Sequence, residues 1–136
     1  EASAARRRFS IETELRRALD ADQLKLFYQP LIDLKSGEVA GFEALARWSH
    51  EDRGEISPAE FIPVAEESGL ILSLGRWAMN KAAETLASWD RDAGEQLPVY
   101  VGVNLSAIQV ARDDIAAMVS SALRASGISG ERLTLE

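Results

Sequence analysis

The sequence predicts an α/β fold, the front half of an α/β barrel or of an open sheet. Three observations lead there. Strand-like stretches at 24–34, 39–48, 99–104 and 133–136 are separated, after the second, by helical stretches, and helical crossovers imply parallel pairing. The first two stretches are joined by Lys35-Ser36-Gly37, a link so short that only antiparallel neighbours can use it. The chain has 136 residues, 46% of them hydrophobic, which suffices for one domain with a core. A closed eight-stranded α/β barrel needs roughly 250 residues, and Leu133-Thr134-Leu135-Glu136 would leave an apolar strand edge. The expectation is therefore a piece of a longer domain.

The elements follow in order. Residues 10–20 predict a short amphipathic helix, with Ser10 as N-cap and Ile11, Leu15, Ala18 and Leu19 as its apolar stripe. Arg6-Arg7-Arg8 has no apolar run behind it and reads as the cut end of something longer. Residues 24–29 form a strand ending at Pro30, which 31–34 extend. In the next strand Ala40, Phe42, Ala44, Ala46 and Trp48 share an apolar face, while Val39, Gly41, Glu43, Leu45 and Arg47 share the other. Residues 50–56 read as a polar loop. Ser57-Pro58-Ala59-Glu60 combines an N-cap, a first-turn proline and a capping-box glutamate, predicting a helix to residue 68 stopped by Gly69. A longer helix spans 71–91 and stops near Gly94, with Trp77, Lys81, Glu84 and Ser88 marking its mix of core and wet faces. A buried strand at 99–104, one helical region from 106 to 125 and a last strand at 133–136 complete the chain. The expected boundaries are a linker helix over residues 1–22 and a barrel portion over 23–136.

Composition narrows the function. Cysteine is absent and His50 is the one histidine, so thiolate and His-rich metal sites are excluded. A metal here needs oxygen ligands, which points to Mg²⁺, Mn²⁺ or Ca²⁺. A net charge of −7 argues against a nucleic-acid polymer as partner, though a small anion remains compatible with locally placed cations. No run approaches the roughly 18 apolar residues of a membrane span, and no membrane contact is expected from this segment.

Three strands each offer one candidate oxygen donor, Glu43, Asn104 and Glu136, the last two at the ends of their strands. In α/β barrels such positions converge on one mouth. Two carboxylates and an amide oxygen suit a hard divalent cation. Arg47, two residues past Glu43 on the same face, could fork onto a phosphate, and Gln29 could add a polar contact. Each has a plainer alternative. A strand glutamate is usually a surface residue, Asn104 a cap or turn, and Arg47 a salt-bridge partner. Trp48, Trp77 and Trp89 read as core, His50 as a solvated residue and Glu66-Glu67 as a solvated face.

Tyr28-Gln29-Pro30-Leu31-Ile32-Asp33, Ser36-Gly37-Glu38-Val39 and Glu43-Ala44-Leu45-Ala46-Arg47-Trp48 resemble the start of an EAL domain, the bacterial cyclic di-GMP phosphodiesterase domain. The resemblance continues through the block from Ile56 to Ile71, then Leu74-Gly75-Arg76-Trp77, Val103-Asn104-Leu105-Ser106 and Leu133-Thr134-Leu135-Glu136. It implies a TIM-like (β/α)8 barrel whose first strand is antiparallel, with its N-terminal half represented here. It implies hydrolysis of cyclic di-GMP to linear pGpG at a two-metal site of Mg²⁺ or Mn²⁺. It further implies metal-ligand roles for Glu43, Asn104 and Glu136, and substrate contacts from Gln29, Leu45, Arg47 and Pro63, Arg47 on a phosphate and Pro63 at a guanine. A cytoplasmic location, a homodimer of the intact domain and an upstream diguanylate cyclase-like or sensory domain belong to the same expectation.

The family's later half, with paired aspartates, a lysine, another glutamate and a closing loop, has no counterpart in these residues. The 136 residues alone are expected to be inactive. Ala46 stands where the family usually has leucine, and Glu51 where proline often follows. A non-catalytic cyclic di-GMP receptor is the alternative, decided by residues outside this sequence. A purely structural dimerisation module has no need of Glu43, Arg47, Asn104 and Glu136 at strand positions.

Overall fold

The two alternating segments pair first. A computed structural model describes residues 2–136 and forms them into β1 (Leu24–Ile32) and β2 (Val39–His50). They run antiparallel, from Leu24 opposite Trp48 to Ile32 opposite Val39, with one irregularity at Leu31/Ile32. Asp33 builds the turn: its Oδ1 accepts from the Lys35 and Ser36 amides at 2.8 and 3.2 Å. Gly37 closes it at φ +76°, where a side chain would be strained.

Beyond the hairpin lie β3 (Gly54–Ile56), α2 (Pro58–Ser68), α3 (Ile71–Ala93), β4 (Tyr100–Val103), α4 (Ala107–Arg112), α5 (Ile115–Ser126), a 3₁₀ turn (Gly130–Arg132) and β5 (Leu133–Leu135). The main sheet runs β1-β2-β4-β5, and β3 joins β2 alone. β4 pairs parallel with both β2 and β5. The result is a mixed sheet in which β2, β4 and β5 run parallel while β1 and the short β3 oppose β2, the front part of a TIM-like α/β barrel.

The helices cover the apolar face. Trp48 and Phe61 are fully buried and meet edge to face at 5.7 Å, an arrangement worth about 1 kcal/mol beyond its burial. A second cluster joins α3, α5 and the sheet through Met79, Leu86, Val101 and Met118. Trp77 and Trp89 are half-buried against the two clusters; Trp89 packs on Tyr28 and Phe42.

Several boundaries differ from the sequence expectation. Helix α1 (Ala2–Asp20) begins before Ser10, so Ser10 lies inside it rather than capping it, and Arg6-Arg7-Arg8 are helical. Its residues Ile11, Leu15 and Ala18 are buried in the same core as Trp48. Strand β1 passes through Pro30 instead of ending there, because a strand with a partner on one side tolerates a missing N–H. Residues 50–56 are not a plain loop: β3 turns back on β2, with Ile56 opposite Trp48. His50 is not solvated. Its side chain is 14% exposed, its Nε2 lies 2.9 Å from Glu14, and its Nδ1 accepts from the Asp52 and Arg53 amides at 3.0 and 3.1 Å. This arrangement assigns the ring hydrogen to Nε2, and the bond holds the Glu14 carboxyl below the usual carboxylate range.

The Ser57 hydroxyl caps α2 through the Ala59 amide, but Glu60 does not complete the box. It pairs instead with Arg7 of α1. The capping box that does form is Ser106/Gln109 at α4. The helical region from 106 to 125 breaks in two at Asp113-Asp114. Asp113 is extended and takes a two-point bond from Arg76 at 3.1 and 2.7 Å, while Asp114 caps α5 through the Ala117 amide.

One ion pair ties the strand entrances together. Arg132 is buried, and its Nη1 and Nη2 donate to Asp90 at 2.9 and 3.0 Å while Nε donates to the Val99 carbonyl at 2.9 Å. Asp90 also accepts from the Leu97 amide. The Arg132 guanidinium, helped by that amide, holds the Asp90 carboxyl below the usual carboxylate range.

Candidate functional site

The face of the sheet away from the helices carries the polar residues, because alternation leaves them no other direction. Register places Gln29 opposite Glu43, Glu43 beside Gly102, and Gly102 beside Thr134, a row across four strands. Just beyond the end of β4, Asn104 donates from Nδ2 to Glu43 Oε2 at 3.1 Å. Among the described residues its amide carbonyl takes no hydrogen bond. Glu136 follows β5, and its backbone is fixed on both sides: its N–H donates to the Val103 carbonyl at 3.0 Å and its carbonyl accepts from the Leu105 amide at 2.9 Å.

Gly102 shapes the floor. A Cβ there would stand 2.3 Å from Glu136 Oε1, so the Glu136 carboxylate occupies space that only a missing side chain provides. Glu43 sits beside the same glycine in register. The three expected donors thus gather around one bare backbone position. Two carboxylates and an amide oxygen fit Mg²⁺ or Mn²⁺ by donor chemistry. Among the described residues no three His, Cys, Asp or Glu side chains are grouped to hold a metal. What this segment offers is the two carboxylates and the amide.

Arg47 is half-buried and forms no ion pair among the described residues, so the plainer salt-bridge reading does not describe it. Its Nη1 donates to the Ala46 carbonyl at 3.2 Å, and its guanidinium carbon lies 5.6 Å from the centre of the Phe27 ring. A half-buried, uncompensated guanidinium is suited to an anion. Arg47, Leu45 and Asn104 line a cavity of about 350 Å³ that reaches back to α2 and α3. Pro63 does not line it; Pro58 and Ile62 do, and Pro63 is exposed in the middle of α2. Gln29 is exposed on the inner face beside Glu43.

Glu66 was expected to be solvated, and the structure places it elsewhere. It lines the cavity, and its Oε2 accepts from the Ser106 hydroxyl at 2.6 Å. Glu67, its neighbour, is exposed and faces Arg8 at 3.4 Å. Gln109 was also missed. It is 1% exposed, bonds the Ser106 amide through Oε1 at 2.9 Å, and packs so close to Gly75 that a Cβ there would meet its Nε2 at 1.8 Å. The Ser106-x-x-Gln109 spacing was the available signal.

The fold and site together define an α/β barrel portion with two carboxylates, an amide and an arginine that forms no ion pair among the described residues, all on one sheet face. The EAL domain family model matches residues 12–136, and the chain belongs to that family. It is 49% identical over 105 residues to the cyclic di-GMP phosphodiesterase PdeR of Escherichia coli K12, covering 77% of this chain and 15% of that protein. It is 38% identical over 123 residues to the bifunctional diguanylate cyclase/cyclic di-GMP phosphodiesterase MucR of Pseudomonas aeruginosa, covering 90% and 18%. The structure of the PaMucR phosphodiesterase in its c-di-GMP complex superposes with a TM-score of 0.85 at 36% identity, over 93% of this chain and 50% of that one. The FimX EAL domain of Pseudomonas aeruginosa bound to c-di-GMP superposes at 0.79 and 26% identity, over 92% and 48%. The chain spans less than a fifth of these two curated relatives and about half of these two solved chains.

Proposed function

We propose that this chain supplies the N-terminal half of the active site of a cyclic di-GMP phosphodiesterase that cleaves its substrate to linear pGpG. The observation that carries the reading is the grouping of Glu43, Asn104 and Glu136 around Gly102, on the same sheet face as Arg47. Glu43, Asn104 and Glu136 would hold Mg²⁺ or Mn²⁺, which when bound acidifies water and offsets charge on phosphoryl oxygens. Arg47 binds a phosphate oxygen pair and keeps fixed positive charge where the phosphorane develops. Leu45 and Gln29 flank the ligand, and Pro63 is assigned to the guanine end on family resemblance. A homodimer, an upstream cyclase-like or sensory domain and a cytoplasmic setting complete the proposal.

The test is incubation of the full-length protein with cyclic di-GMP and Mn²⁺, with pGpG separated by chromatography. Turnover lost in Glu43→Gln and Asn104→Ala supports the reading. Tight binding of cyclic di-GMP by calorimetry with no pGpG at any metal concentration replaces it with the receptor reading. Neither binding nor turnover refutes both.

A further inference from the structure

Asn104 stands in the link between β4 and α4, and a link does not hold a side chain in place by itself. Three bonds hold this one. The Leu105 amide donates to the Glu136 carbonyl at 2.9 Å, the Ser106 amide donates to Gln109 Oε1 at 2.9 Å, and the Ser106 hydroxyl donates to Glu66 at 2.6 Å. The first two come from groups whose own positions are fixed, by the β4–β5 ladder and by the close packing of Gln109 on Gly75. The third crosses from α2, a different layer of the fold.

The geometry points to Glu66 as a positioning residue for Asn104, an inference that rests on the metal-ligand reading above. A hydroxyl has one hydrogen and two lone-pair directions. Donating to Glu66 fixes the Ser106 rotor, so that its oxygen faces the Ile108 amide, 3.2 Å away, as the helix cap. That sets where α4 begins, and Asn104 lies two residues before the cap. Glu66 is itself rigidly placed. It sits in the last turn of α2, beside the buried Ala65 and ahead of Gly69 at φ +84°. Without Glu66, the Ser106 hydroxyl is free to rotate, the cap loosens, and Asn104 loses the orientation in which it bonds Glu43. Partners of metal ligands typically change metal affinity about 10- to 100-fold when removed. Acting through Ser106, one residue further from the ligand, Glu66 falls at the lower end, about 10-fold.

The experiment compares Glu66→Ala, Glu66→Gln, Ser106→Ala and the Glu66→Ala/Ser106→Ala double variant in the full-length protein. Two quantities are read: Mn²⁺ affinity by direct titration without substrate, and amide hydrogen exchange over residues 104–108. Glutamine keeps the acceptor and drops the charge. The expected result is a Mn²⁺ affinity about 10-fold weaker and faster exchange at 104–108 in Glu66→Ala. Glu66→Gln should stay within about 2-fold of wild type, and the double variant should be no worse than Ser106→Ala. Equal loss in Glu66→Ala and Glu66→Gln overturns the inference, since it assigns Glu66 to a direct charge contact. Unchanged exchange in Glu66→Ala overturns it as well. If the wild type binds no Mn²⁺, the metal reading fails and takes the ligand part of this inference with it. The exchange data then still decide whether Glu66 holds the segment.

Discussion

Replacing Arg132 by alanine tests how the strand entrances are held. The side chain makes three charge-assisted bonds, two to Asp90 and one to the Val99 carbonyl, and it is buried. Alanine leaves Asp90 with the Leu97 amide as its remaining partner. Breaking a buried pair from one side costs about 3–5 kcal/mol. The Asp90 side chain is 18% exposed, so water can rehydrate it and the lower end applies, about 3 kcal/mol. Urea unfolding followed by tryptophan fluorescence measures this directly, since Trp89 precedes Asp90 in the chain. The pair Asp90→Leu/Arg132→Met should recover most of the loss, because it removes both charges together. The pH dependence has a defined sign. The Asp90 carboxyl is held below its ordinary value in the folded state, so its contribution is present above the unfolded value, about 3.9, and is lost as pH falls through the folded value. The gap between wild type and Arg132→Ala should therefore be full at neutral pH and shrink below about pH 4. A loss under about 1 kcal/mol at pH 7, or a gap that widens in acid, would refute the reasoning.

Two glycines separate fold from site. At Gly41 a Cβ would meet the Tyr100 carbonyl oxygen at 2.7 Å, a backbone atom that cannot step aside, so Gly41→Ala should cost about 1–3 kcal/mol in urea unfolding. At Gly102 the obstruction is the movable end of Glu136, so Gly102→Ala should cost under about 1 kcal/mol in stability while weakening Mn²⁺ binding, measured by titration. Arg47→Lys keeps the charge and loses the planar fork; calorimetry should show cyclic di-GMP affinity about 10-fold weaker, with the melting temperature unchanged.

The strands, and the sheet face on which Glu43 and Arg47 lie, were legible because their signals are local. A period of two put Glu43 and Arg47 on one face, and the short Lys35-Ser36-Gly37 link forced an antiparallel pair. Gly69, Gly94 and Gly127 stop their helices as expected, each in the left-handed region. What was not legible depends on partners distant in sequence. Nothing near Glu60 announces that Arg7 will draw it away from the Ser57 cap, and nothing near His50 announces Glu14. Glu66 and Glu67 look alike in sequence, yet one meets Ser106 and the other Arg8. The break at Asp113-Asp114 was readable in principle, since an aspartate before Ile115 is a cap signal.

The acidic residues of helix α2 tie it on two sides. Adjacent residues on a helix point about 100° apart, and here that angle separates two jobs. Glu67 reaches outward to Arg8 on α1, Glu60 reaches Arg7 on the same helix, and Glu66 reaches inward to the loop that bears Asn104. The helix that carries all three is eleven residues, about 16 Å, long, with Pro63 inside it. Its outer side is therefore tied to α1 and its inner side to Ser106. Helix α2 is thus the shared support of the helix that precedes the first strand and of the link that bears Asn104.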